Sequence, residues 1–129
     1  MQYRPLGNTG LEVSAVGLGG NVFGPPRQEL KSSIATVQRA LELGVNFIDT
    51  AYIYNDGKSE EYLGMALAGR RHEVILATKC HLLNLADGET VAQRIRSHCE
   101  TSLRRLKTDY IDLLQLHFRA AQAPSQEIL

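Results

Sequence analysis

Four side chains able to hold or move a proton are spaced along this 129-residue chain: Asp49, Tyr54, Lys79 and His117. Each stands at or just past the end of a short apolar run. Val45-Asn46-Phe47-Ile48 leads into Asp49, with Tyr54 five residues later; Val74-Ile75-Leu76-Ala77-Thr78 leads into Lys79; the run from Tyr110 to Leu116 leads into His117. β-Branched and aromatic runs of this length read as buried strands. In parallel α/β folds the C-terminal strand ends are where ligands are handled. An acid, a phenol, an ammonium and an imidazole are therefore expected on one rim.

The elements needed to place them can be read in order. Met1 to Val16 reads as a hairpin turning at Gly7-Asn8-Thr9-Gly10, where Asn and Gly tolerate positive φ. A strand from Ala15 to Leu18 runs into Gly19-Gly20, bare backbone suited to a tight turn or to close approach by a ligand. Gly17-Leu18-Gly19 is not a dinucleotide fingerprint, since the third glycine is misplaced and no helix opens directly. Leu30, Ile34, Val37 and Leu41 mark one face of a helix over 28–43, stopped by Gly44. Ser59 reads as the N-cap of a second helix, with Glu60 and Glu61 in its first turn and Leu63, Ala66 and Leu67 on its inner side. A loop from Cys80 to Glu89 precedes Thr90-Val91-Ala92-Gln93, which has capping-box spacing. Ile95, Cys99, Leu103 and Leu106 then mark the face of a third helix. Pro124 to Leu129 reads as a further helix start.

The order is a hairpin and then β-α-β-α-β-α-β, which implies a parallel sheet with right-handed crossovers. Such a chain is either half of an eight-stranded barrel or a small open sheet. A full barrel takes about 250 residues, so the expectation is a chain cut at the midpoint. Fourteen basic side chains balance fourteen acidic ones, which leaves no electrostatic footprint for nucleic acid or an anionic membrane. No apolar run approaches the roughly 18 residues needed to span a bilayer, and Met1 to Pro5 lacks a signal-peptide core. Two cysteines, Cys80 and Cys99, are expected as reduced thiols in the cytoplasm that pack as small apolar groups, and Cys80-His81 is not expected to bind metal.

Several stretches together resemble the aldo-keto reductase family: Gly17-Leu18-Gly19-Gly20, Asp49-Thr50-Ala51 with Tyr54, Ser59-Glu60 with Leu63-Gly64, Ala77-Thr78-Lys79, and Asp109-Tyr110-Ile111-Asp112 running to Leu116-His117. They occur in the family's order and cover the chain from about Tyr3 to its end. The resemblance implies a (β/α)8 TIM barrel, present here as a partial barrel: an N-terminal hairpin (1–16) closing the bottom, then the first four parallel strands and three intervening helices (17–129), one incomplete domain. It implies reduction of small aldehydes and ketones with NADPH, or sometimes NADH.

Matched position by position, the catalytic residues would be Asp49, Tyr54, Lys79 and His117. Hydride delivered to a carbonyl carbon leaves charge on oxygen, so a proton donor must stand beside it. A free phenol has a pKa near 10, and a nearby cation stabilises its anion. Lys79 would be that cation, Asp49 would hold Lys79, and His117 would orient the carbonyl oxygen or share the proton. Gly19, Gly20 and Asn21, with Asp49, would meet the cofactor near the nicotinamide. Two departures from the family pattern are Asn55, where relatives carry Gly, and Phe118-Arg119 in place of Trp-Pro. Taken singly, each rim residue has a plain reading: a loop hydrogen bond for Asp49, a solvated charge for Lys79, a loop aromatic for Tyr54, a satisfied histidine for His117. A non-catalytic half-barrel that self-associates or binds a partner through its open sheet edges is the other class of function.

Overall fold

The computed structural model describes residues 1–118. The expected helix start at Pro124 to Leu129, and Arg119, lie outside the described residues.

Strands β1 (Tyr3–Pro5) and β2 (Glu12–Ser14) pair antiparallel, with Tyr3 opposite Ser14 and the turn closed by Leu6 N–H donating to the Leu11 carbonyl at 2.8 Å. Side chains tie this hairpin to the start of a later strand. Asn46 Oδ1 accepts from Ser14 N–H at 2.6 Å, Asn46 Nδ2 donates to the Glu12 carbonyl at 2.9 Å, and the Tyr3 hydroxyl donates to the Gly44 carbonyl at 2.9 Å. The hairpin therefore sits under the N-terminal ends of the parallel strands, as a barrel bottom requires.

Four strands form one parallel sheet in the order β3 (Leu18–Gly19), β4 (Phe47–Asp49), β5 (Ile75–His81), β6 (Leu113–Phe118). Between them run α1 (Leu30–Glu42), α2 (Lys58–Ala66) and α3 (Val91–Leu106). Helix α1 ends as its sequence dictates, with Gly44 left-handed at φ 83°. Thr90 and Gln93 close a full capping box at the start of α3. The core between sheet and helices is built on Phe23, Val37, Ile48, Leu63, Leu76 and Leu106, with Ile34 and Leu41 packed against it. Among the described residues no helix is long and apolar enough to cross a membrane.

The structure corrects five local expectations. Strand β5 runs on through Cys80 and His81, where a loop was expected to begin. The first parallel strand is only Leu18–Gly19. The last begins at Leu113, because the Asp112 carboxylate takes the Leu76 N–H at 2.8 Å and the Arg71 guanidinium at 2.6 Å in place of strand pairing. Ser59 is not a cap: Gly57 holds the N-cap position with φ 86°, and Ser59 lies buried at the second position of the helix. The inner stripe of α3 is also rotated by one residue, so that His98 and Ser102 are buried where Cys99 and Leu103 were expected. Cys80 is buried, and both cysteines are free.

Candidate active site

Successive side chains on a strand point to opposite faces. On β5, Thr78 faces the helices, where its hydroxyl donates to Glu60 at 2.7 Å, so Lys79 faces the other way. Asp49 ends β4 directly opposite Ala77 of β5, within reach of that lysine. The Lys79 Nζ donates to Asp49 Oδ2 at 2.6 Å, to the Thr50 carbonyl at 2.7 Å and to the Tyr54 hydroxyl oxygen at 3.4 Å. An ammonium has three N–H groups, and these three contacts use all of them. Tyr54 and His117 meet edge to face with ring centroids 5.6 Å apart, and His117 stacks on Phe118 at 4.1 Å. The four side chains expected on one rim are thus together, linked through Lys79 and Tyr54.

The electrostatics follow the geometry. Burial, then the Lys79 ammonium, pushes the His117 pKa below its ordinary value, with Asp49 pulling weakly the other way. His117 Nδ1 is buried without a hydrogen-bond partner.

The residues expected at the cofactor divide into two groups. Gly19 lies beside Asp49 in the β3–β4 register, is exposed, and has open space where a Cβ would stand. Asn21 is exposed too. Gly20 is buried: its N–H donates to the Asp49 carbonyl at 2.7 Å and its carbonyl accepts from Ser59 Oγ at 2.7 Å. A Cβ on Gly20 would stand 2.8 Å from Ser59 Oγ and 3.1 Å from Thr50. Its bareness serves packing. Among the described residues no group of three or more His, Cys, Asp or Glu side chains could hold a metal ion.

Tyr54 is carried on an unusual turn, Tyr54–Gly57, in which Asn55 and Asp56 are left-handed at φ 49° and 53°. Non-glycine residues rarely adopt this conformation. Behind the turn lies a network that the sequence reading did not assemble. Glu60, fully buried, accepts from Thr78 Oγ1 and, at 3.2 Å, from Arg105 Nη1. Arg105 also donates to the Tyr52 carbonyl at 2.8 Å and lies 4.5 Å over the Tyr52 ring. Tyr52 stacks on His98 at 3.8 Å, and His98 meets His81 at 4.6 Å. One signal was available: Glu60 shares a helical face with Leu63 and Leu67, and a carboxylate on an apolar face needs a partner. A shallow open groove of about 740 Å³ lies at the opposite, N-terminal end of the strands, bordered by Arg71, His72, Arg104 and Lys107, and takes no part in this site.

A parallel βα sheet closed beneath by a hairpin, with acid, phenol, ammonium and imidazole on its C-terminal rim, defines a barrel-type enzyme scaffold. The sequence profile of the Aldo/keto reductase family matches residues 15–129, and the chain belongs to that family. It is 43% identical to the L-galactose dehydrogenase of Arabidopsis thaliana, over 91% of this chain and 38% of that protein. Among solved structures it is similar to the aldo-keto reductase AKR11C1 from Bacillus halodurans in its holo form, with TM-score 0.84 and 38% identity over 98% of this chain and 43% of that one. It is also similar to an aldo-keto reductase from Klebsiella pneumoniae in complex with NADPH, with TM-score 0.78 and 35% identity over 90% and 39% of the two chains. The chain spans about two-fifths of the length of the curated relatives it matches, and its fold is a partial (β/α)8 barrel.

Proposed function

We propose that these residues are the proton-handling part of a reductase that converts aldehydes or ketones to alcohols with NADPH, or NADH, as hydride source. The observation that carries this reading is the position of Lys79 Nζ between Asp49 Oδ2 and the Tyr54 hydroxyl. Because the Tyr54 oxygen accepts from Lys79, its own hydrogen is left to donate to a bound carbonyl. When bound, the reduced nicotinamide supplies hydride to the carbonyl carbon. Tyr54 then delivers a proton to the carbonyl oxygen, Lys79 stabilises the phenolate left behind, and Asp49 holds Lys79 in place. On this reading His117 donates from Nε2 to the same oxygen and orients the carbonyl, which leaves the buried Nδ1 as an unpaired acceptor.

The exposed Gly19 and Asn21, beside Asp49, suit the nicotinamide end of the cofactor, with Gly20 acting through its packing. On this reading residues 1–129 form one incomplete domain, a hairpin (1–16) and the first half of a barrel (17–129). The cytoplasm suits it, since free thiols such as Cys80 and Cys99 stay reduced there.

The test is consumption of NADPH with an aromatic aldehyde, preceded by fluorescence titration of the chain with NADPH. Tyr54→Phe is expected to lower turnover by about two to four orders of magnitude, the usual contribution of a general acid. Near-normal turnover in that variant refutes the assignment of Tyr54.

A second reading rests on its own observation. Leu114, Leu116 and Phe118 are exposed on β6, the last strand of the sheet, which has no further neighbour among the described residues. An apolar strand at an open edge favours pairing with another chain, and the occupant on this reading is a second copy. A sizing column run with the titration separates the two: a dimer without NADPH binding supports association in place of catalysis.

A further inference from the structure

The turn that carries Tyr54 is stitched to the loop that follows β3. Asn55 Nδ2 donates to the Phe23 carbonyl at 2.6 Å and to the Asn21 carbonyl at 3.2 Å. The backbone makes room for this contact: a Cβ on Gly24 (φ 116°) would stand 2.9 Å from Asn55 Cβ. Phe23, whose carbonyl takes the shorter bond, is fully buried in the core and donates its own N–H to the Gly20 carbonyl at 3.1 Å. That same carbonyl accepts from Ser59 Oγ. Loop 20–24 is thus joined to turn 54–57 by the Asn55 side-chain amide, and to the start of α2 just beyond that turn by the Ser59 hydroxyl.

A glycine would hold the left-handed backbone at position 55 more easily than asparagine does. What asparagine adds is the amide that reaches two carbonyls on the neighbouring loop. The loop it grips includes Asn21 and begins next to Gly19, and the residue it adjoins is Tyr54.

From this we infer that Asn55 is a positioning residue which couples the Gly19–Phe23 segment to Tyr54, so that a dinucleotide settling against that segment sets the phenol for proton transfer. The inference rests on the proposed reading of Gly19–Asn21 as the cofactor segment and of Tyr54 as the acid. Asn55 itself touches neither reacting atom; it acts through its neighbour.

The experiment compares the full chain with Asn55→Gly and Asn55→Asp, the latter unable to donate to a carbonyl. Asn84→Gly serves as control, because Asn84 is a left-handed asparagine (φ 52°) in the loop after β5. Two signals are read: amide hydrogen exchange at Phe23 and Gly24, and the ring carbon resonance of Tyr54, assigned with Tyr54→Phe, before and after NADPH. In both Asn55 variants exchange at Phe23 and Gly24 is expected to quicken about tenfold, the effect of losing one good hydrogen bond, while Asn84→Gly leaves it unchanged. The Tyr54 resonance is expected to follow NADPH in the wild type and to lose that response in Asn55→Gly, with the melting temperature retained. Unchanged exchange at Phe23 and Gly24, or a Tyr54 response to NADPH equal to wild type, overturns the inference. If NADPH leaves wild-type Tyr54 unmoved, the cofactor reading fails and the coupling with it, while the exchange arm still shows whether the stitch joins the two loops.

Discussion

Lowering the pH should destabilise this protein through His98, a buried residue of α3 outside the candidate site. His98 lies on α3 with its ring stacked on Tyr52 at 3.8 Å and 13° and facing His81 at 4.6 Å, and it is almost wholly buried. Burial pushes its pKa down to about 4, helped by His81, Arg94 and Arg105 and opposed by Glu89. The unfolded chain binds this proton with the ordinary histidine value near 6.5. Between those values the unfolded state holds more protons than the folded one, so stability is complete above about pH 6.5 and is lost as pH falls toward 4. At 1.36 kcal/mol per tenfold change in proton affinity, the loss is about 2 kcal/mol by pH 5 and about 3 kcal/mol once fully expressed. Urea unfolding at pH 7 and pH 5 measures it, with His98→Phe as the comparison, because phenylalanine keeps a flat ring on Tyr52 without the proton. The wild type should lose about 2 kcal/mol more than His98→Phe over this interval. An equal loss in both refutes the reasoning. Glu89, held at about 2 by the Arg94 guanidinium, adds a further loss only below about pH 4.5.

Two other perturbations follow from packing. Glu60→Ala leaves the Arg105 guanidinium and the Thr78 hydroxyl without their buried partner and should cost about 3–5 kcal/mol in urea unfolding, whereas Glu60→Leu combined with Arg105→Met should cost much less. Gly64→Ala places a Cβ 2.6 Å from the Arg105 carbonyl oxygen, a backbone atom that cannot swing aside, and should cost about 1–3 kcal/mol, while Gly69→Ala meets nothing within 4 Å and should cost about 1 kcal/mol through its φ of 75° alone.

The elements were legible where one force decides them. The hairpin turn, the glycine stop after α1 and the capping box of α3 are local chemistry, and each stands where its residues place it. The Asp49–Lys79 pairing was legible because two neighbouring parallel strands carry opposite charges near their C-terminal ends, and the register brings those charges together. The reading failed where local and tertiary demands use the same residue types. Ser59 and Glu60 look like a capped, acid-led helix start, yet both are buried: the hydroxyl anchors Gly20 and the carboxylate meets Arg105, which lies 45 residues later. The late start of β6 has the same origin, since nothing local says that Asp112 takes a partner on β5. His98 lies inside α3 for a reason the apolar spacing does not carry, since Tyr52 and His81 give a polar ring company there.

The three engaged hydrogens of Lys79 have a chemical consequence. A primary amine beside an aldehyde condenses with it to an imine, and on the proposed reading, which brings carbonyl compounds to this lysine-bearing rim, such condensation would arrest the site. Condensation needs the nitrogen lone pair free and able to approach the carbon along a defined trajectory. Here the nitrogen faces a carboxylate, a backbone carbonyl and a phenol oxygen, and the side chain is only 12% exposed. The contacts that on the proposed reading make Lys79 useful as a cation also keep it from acting as a nucleophile.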